Sequence, residues 1–153
     1  AIKLLIKEYN YMNKSNFLLY LFSPMFSLIL ILNMWMIYPF WSNYLNLSLG
    51  LIYLMCCLSL SVYGMLMAGW SSNSCYTMLG AIRSMAQSIS YEVSLSIIMI
   101  IPMLLLDNFN LINLYYIQKM GVWLIIFMWP LSMMFFISIM AELNRTPFDF
   151  SEG

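Results

Sequence analysis

The residues best equipped for chemistry stand together at the end of the chain. Glu142, Arg145, Asp149 and Glu152 fall within Ala141-Glu142-Leu143-Asn144-Arg145-Thr146-Pro147-Phe148-Asp149-Phe150-Ser151-Glu152-Gly153. The whole chain has 6 acidic and 6 basic residues in 153 positions, so half of its acids are here. A carboxylate keeps or releases a proton according to its solvation and the charges beside it. Arg145 follows Glu142 by three positions, the spacing of neighbours on a helical turn, so the two can pair. The stretch directly follows a long apolar run. Charge at a membrane boundary costs free energy unless it is solvated, paired or used.

A second set lies inside an apolar run. Between Leu79 and Ser96 stand Arg83, Ser84, Gln87, Ser88, Ser90, Tyr91, Glu92, Ser94 and Ser96. At ~100° per residue Arg83, Gln87, Ser90 and Ser94 form one stripe, and Ser88, Glu92 and Ser96 another on the opposite side. A lipid-facing helix does not carry polar groups on both sides, so its inner half is expected to be enclosed by protein or to face a hydrated cavity. Glu92 lies ~13 Å along the axis from Arg83, too far for a local ion pair. It is therefore expected to be neutral, paired across helices or part of a proton path.

The elements that must hold these groups are membrane helices. The chain is 63% hydrophobic and 8% charged, with a mean hydropathy of +0.86. Soluble domains are about 25% charged. Four apolar runs, about 17–37, 49–69, 79–106 and 122–141, each reach the roughly 20 residues that cross a bilayer. The reading is an all-α, polytopic transmembrane bundle of four spans, one membrane domain over 1–153, with an acidic loop over 142–153. Pro24 and Pro130 fall within the runs and are tolerated where neighbours satisfy the freed carbonyl, and Pro102 lies near the end of the third. Trp35, Tyr38, Trp41 and Tyr44 cluster at one boundary, and Trp70 and Tyr76 at another, as interfacial aromatics do. Ile2, Leu5 and Ile6 recur at helical spacing, as at the end of a surface helix.

Four spans place both ends on one side. Lys3, Lys7, Lys14, Arg83 and Arg145 share that side, and only Lys119 lies opposite, so the acidic loop is expected on the inner face. The start in mid-pattern, with no signal segment, suggests an internal piece of a longer protein. The absence of histidine excludes His-ligated haem and copper on this chain. Cys56, Cys57 and Cys75 lack a cluster-binding spacing and read as small buried residues. So few basic residues leave no nucleic-acid footprint.

Gly69-Trp70-Ser71-Ser72-Asn73-Ser74, Arg83 with Ala86-Gln87-Ser88-Ile89-Ser90-Tyr91-Glu92-Val93, and Ala141 to Gly153 together carry a resemblance. In order and spacing the chain resembles the chain-one family of membrane core subunits of mitochondrial NADH–ubiquinone oxidoreductase, respiratory complex I. The abundance of Met, Ile, Asn, Tyr and Phe also suits an A+T-rich mitochondrial genome. The resemblance implies further spans on both sides of the fragment, in the mitochondrial inner membrane, with both fragment ends facing the matrix. It implies a subunit of a proton-translocating reductase that lines the tunnel for ubiquinone. Ubiquinone would be the substrate, bound together with partner subunits. Electrons would come from an iron–sulfur cluster on a neighbour, with no haem, flavin, metal or cluster on this chain. Its partners would be hydrophilic quinone-site subunits, neighbouring membrane subunits and lipid. By the same resemblance Glu92, Glu142, Asp149 and Glu152 belong to a proton path, and Arg83, Arg145 and Phe148 to the quinone tunnel or its loop. Leu143 stands where the family usually has Thr, Ser84-Met85 where it has Ala-Val, and Cys75 where Lys or Asn is common. None of these removes a charge from the acidic set.

Physics adds two expectations. If the third and fourth spans pack side by side, Glu92 and Glu142 share one site and hold a proton between them. Phe148 and Phe150 flank Asp149, which suits docking of the loop against another subunit. The alternative to the coupling role is a proton- or ion-coupled transporter subunit, which would use the same Glu92 and kinked spans without hydrophilic partners. An inert structural subunit would tolerate loss of both acids.

Overall fold

The computed structural model describes the chain except residues 1, 9–12, 39–45, 122 and 150–153 and the side chain of residue 4. Among the described residues every regular element is helical: α1 (Ile2–Ile6), α2 (Phe17–Met34) extended by a 3₁₀ turn (Trp35–Ile37), α3 (Gly50–Ser71), α4 (Cys75–Leu104), α5 (Leu111–Lys119), α6 (Leu124–Phe127) and α7 (Trp129–Glu142). Three stretches are long and apolar enough to cross a membrane: Phe17–Ile37, Gly50–Ser71 and Cys75–Leu104. α7 is a shorter apolar helix. The outward faces of these helices are apolar, with Leu18, Ile52, Ile82, Val93 and Ile137 all exposed, as a lipid-facing surface requires. The protein is a polytopic helical membrane bundle.

α4 occupies the middle. α2 packs on α3, α3 on α4 and α4 on α7. Small residues let α3 and α4 meet closely. A Cβ at the buried Gly69 would collide with Ala81 and stand 3.3 Å from the Thr77 carbonyl. Sparse hydrogen bonds tie the ends. Asn16 N–H donates to the Ser71 carbonyl at 2.9 Å at one end, and Leu51 N–H to the Phe109 carbonyl at 3.2 Å at the other.

Local chemistry sets the boundaries. The Ser74 hydroxyl caps α4 by accepting from Thr77 N–H at 3.3 Å, as serine does at helix starts. That cap starts the helix at Cys75 rather than near 79. Pro102 lies in its last turn, and the chain leaves the helix through Asp107 at φ 49. Asp107 adopts this left-handed turn because its short polar side chain tolerates it. Pro24 lacks the N–H that would reach the Tyr20 carbonyl, and Ser23 Oγ donates to that carbonyl instead at 3.0 Å. Pro130 behaves differently from the expectation of one span over 122–141. The helix stops at Phe127, Met128 turns at φ −119 and ψ 47, and α7 restarts with the proline in its first turn. No hydroxyl replaces the missing donor there, and a proline needs no N–H at a helix start. The stretch between the third and fourth runs is also not plain loop: α5 lies there, capped by Asn110, whose side chain accepts from Ile112 N–H at 3.1 Å.

Candidate functional site

The site forms where α3, α4 and α7 meet. Glu92, on α4, is half-buried. Its Oε1 accepts a hydrogen bond from Ser59 Oγ on α3. Sequence reasoning left that partner out, since a serine in an apolar run carries no distinguishing pattern.

Glu142 ends α7. It is half-buried, and its Oε2 is enclosed without a hydrogen-bond partner. The Glu92 carboxylate is close enough to act on it electrostatically. The two acids therefore occupy one region between packed spans, α4 and α7 being neighbours. Glu142 also lines a chamber of about 50 Å³ with Ser61, Val62, Met65, Ser84, Met85, Ser88 and Asn144. A water needs roughly 10–15 Å³ of such space and two or more polar partners, so the chamber can take water. Its serine hydroxyls donate to their own helices, Ser61 to Leu58 at 2.6 Å, Ser84 to Ala81 at 2.9 Å and Ser88 to Met85 at 3.0 Å. Their oxygen lone pairs are left to accept. Asn144 Oδ1, like Glu142 Oε2, is buried and unpartnered. The walls thus offer acceptors, and the complementary guest is a proton donor such as water.

The chain reverses immediately after Glu142. Arg145 N–H donates to the Met140 carbonyl and Asn144 N–H to the Ala141 carbonyl, each at 3.2 Å. Asn144 lies at φ 48. This is a Schellman turn, with asparagine in the left-handed position usually taken by glycine. It sends residues 145–148 back over the helix end, through a cis Thr146–Pro147 bond. Phe148 N–H then donates to the Arg145 carbonyl at 2.7 Å.

The returning segment lands on α4 of the same chain. The Phe148 ring meets the Tyr91 ring edge-on, with centroids 5.4 Å apart. Gln87 Nε2 donates to the Phe148 carbonyl at 2.9 Å and to the Ala141 carbonyl at 3.0 Å. The Phe148 ring, expected to dock against another subunit, thus also has a partner within the chain. The reason is the Schellman turn, which aims the segment inward.

The other expected residues lie around this centre. Arg83 is exposed and lines an open groove of about 490 Å³ with Ala86, Gln87, Ser90 and Tyr91. Arg145 is exposed, and Asp149 is half-buried. Glu152 and Phe150 lie outside the described residues. Gln87 is the buried member of the stripe that also holds the exposed Arg83, Ser90 and Ser94. Among the described residues no cluster of three or more potential metal ligands forms.

A bundle of apolar helices enclosing paired acids and a polar chamber defines a class: a polytopic membrane protein with an ionisable interior. Residues 1–153 all match the family described as NADH dehydrogenase, and the chain belongs to that family. It is similar to the NADH-ubiquinone oxidoreductase chain 1 of Aedes aegypti, at 47% identity over 153 residues, covering 100% of this chain and 49% of the relative. The protein of the same name from Locusta migratoria is 49% identical over 154 residues, again covering 100% of this chain and 48% of its own length. That of the gibbon Hylobates lar is 44% identical over the same full extent of this chain. The chain spans about half the length of these relatives.

Proposed function

We propose that this chain is part of a membrane subunit of mitochondrial NADH:ubiquinone oxidoreductase that walls the quinone tunnel and couples quinone reduction to proton translocation. The observation that carries this reading is the shared site of Glu92 and Glu142 beside a chamber able to hold water. Carboxylates placed between packed spans are groups that can take up and hand on a proton. The chain supplies groups that hold and pass a proton, and a loop whose position alters their surroundings. Ubiquinone is substrate in this reading, bound with hydrophilic partner subunits, and electrons come from a centre on a neighbour. Arg83 and its groove, with the loop bearing Arg145 and Phe148, form the tunnel side. Glu92, Glu142, Asp149 and Glu152 form the acidic path. The assembly lies in the inner membrane with both ends of this stretch on the matrix side, as the lysine and arginine distribution favours.

A mechanism follows from local electrostatics. A charge appearing in the tunnel attracts or repels Arg145 on the returning segment. Movement of that guanidinium towards or away from Glu142 changes which acid holds the proton. The test is a double-mutant cycle with Glu92→Gln and Glu142→Gln in the complete complex, reading pumped protons and quinone reduction separately. A shared path predicts a loss of about tenfold or more in pumping for each variant and little further loss in the double variant. Strictly additive losses, or wild-type pumping in the double variant, overturn the proposal. Proton transport by the full-length chain without hydrophilic partners would favour a transporter instead.

A further inference from the structure

We propose that Gln87 is a positioning residue that seats the segment after α7 against the bundle, and so sets where Glu142 and Arg145 stand; its functional consequence rests on the coupling role proposed above. A single nitrogen, Nε2, donates to the carbonyls of Ala141 and Phe148, 54 and 61 positions away. Both ends of the returning segment are therefore tied to one atom on α4. The Ala141 carbonyl belongs to the last turn of α7 and also accepts from Asn144 N–H at 3.2 Å, so Gln87 is its second donor. The Phe148 carbonyl belongs to the landing point of the loop. Arg145 lies between them and is exposed.

The residue type is matched to this task. Gln87 is 7% exposed, and its Oε1 is buried without a partner. A buried unpaired polar atom is costly, so the amide is held here by its donors. A primary amide has two N–H groups, one for each carbonyl. An ionised glutamate has none, asparagine is one methylene shorter, and methionine fills the space without donating. The Tyr91–Phe148 ring contact, one turn further along α4, adds apolar attachment without fixing the carbonyl directions.

With the Phe148 carbonyl released, the Tyr91–Phe148 ring pair remains between residues 145–148 and α4. The segment then pivots on the Schellman turn at Asn144, and the chamber beside Glu142 opens. Gln87 thus sets the balance between a seated and a lifted segment.

The test uses Gln87→Met in the complete, assembled complex. Amide hydrogen exchange over 143–149 is expected to quicken about tenfold with α3 unchanged, the loss of hydrogen bonds at buried carbonyls being of that order. Quinone turnover should fall several-fold while its KM stays within about twofold, since Gln87 acts through the segment. Unchanged exchange over 143–149 in assembled Gln87→Met overturns the proposal, whatever happens to turnover. Faster exchange with wild-type pumping in the Glu92 and Glu142 variants leaves the seating role intact and removes the coupling role. Should Gln87→Met fail to assemble, a map of the wild-type complex decides. Nε2 within hydrogen-bond distance of both carbonyls supports the seating role, and Nε2 away from both overturns it.

Discussion

Ser59 on α3 donates a hydrogen bond through its Oγ to Oε1 of Glu92 on α4. The same hydroxyl also reaches the Met55 carbonyl of its own helix at 3.0 Å. A half-buried carboxylate is thus bound to the neighbouring span by a residue that can also satisfy itself locally, so the contact can be made and released at small cost. Ser59→Ala removes the donor and keeps the titratable group. Glu92→Gln keeps an acceptor for Ser59 and removes the titration. The expected order is a pumping loss of several-fold for Ser59→Ala and about tenfold or more for Glu92→Gln, with assembly preserved in both. Proton-to-quinone stoichiometry in reconstituted vesicles measures this. Wild-type pumping in Glu92→Gln beside a loss in Ser59→Ala would show that the hydrogen bond, not the proton, is what Glu92 supplies.

Arg83 is exposed on this chain and stands beside the buried Gln87 on a groove open to whatever packs there. A guanidinium in a membrane bundle faces protein or water rather than lipid. In the assembled complex a carboxylate or a backbone carbonyl is expected within hydrogen-bond reach of it. Arg83→Ala should reduce quinone turnover several-fold and lower assembled yield much less. A well-resolved map with the guanidinium among lipid tails would contradict this.

Two of the glycines on α3 separate packing from chemistry. At Gly69 an added Cβ collides with Ala81, whereas at Gly64 its nearest neighbour, Ser27 Cβ, is 3.7 Å away. Gly69→Ala forces α3 and α4 apart and should cost about 1–3 kcal/mol, as overpacking does. Gly64→Ala meets ordinary van der Waals distances and should be close to neutral. Thermal denaturation of the assembled complex would resolve the difference. Equal melting of the two variants would mean that the helices slide freely at Gly69.

What the sequence determined by itself was whatever depends on local composition. Long uncharged runs require helices in a bilayer, because backbone groups there have no water to bond to. Acids and arginines too expensive for lipid stand out in such runs without any structure, which is how Glu92, Glu142 and Arg83 are found. Tertiary structure decided what depends on direction. Asn144 in a left-handed turn reverses the chain, and that reversal brings Phe148 to Tyr91 and its carbonyl to Gln87. Spacing along α4 shows that Gln87 shares a stripe with Arg83 but not that Gln87 is buried while Arg83 is exposed. Burial depends on which helix lies alongside, and α7 lies alongside α4. The proline readings divide for the same reason. Pro24 stays within a helix because Ser23 answers the Tyr20 carbonyl, whereas Pro130 begins a new one after Met128. A hydrophobicity pattern registers neither a hydroxyl's direction nor a helix's neighbour, and those two facts are what shape the site.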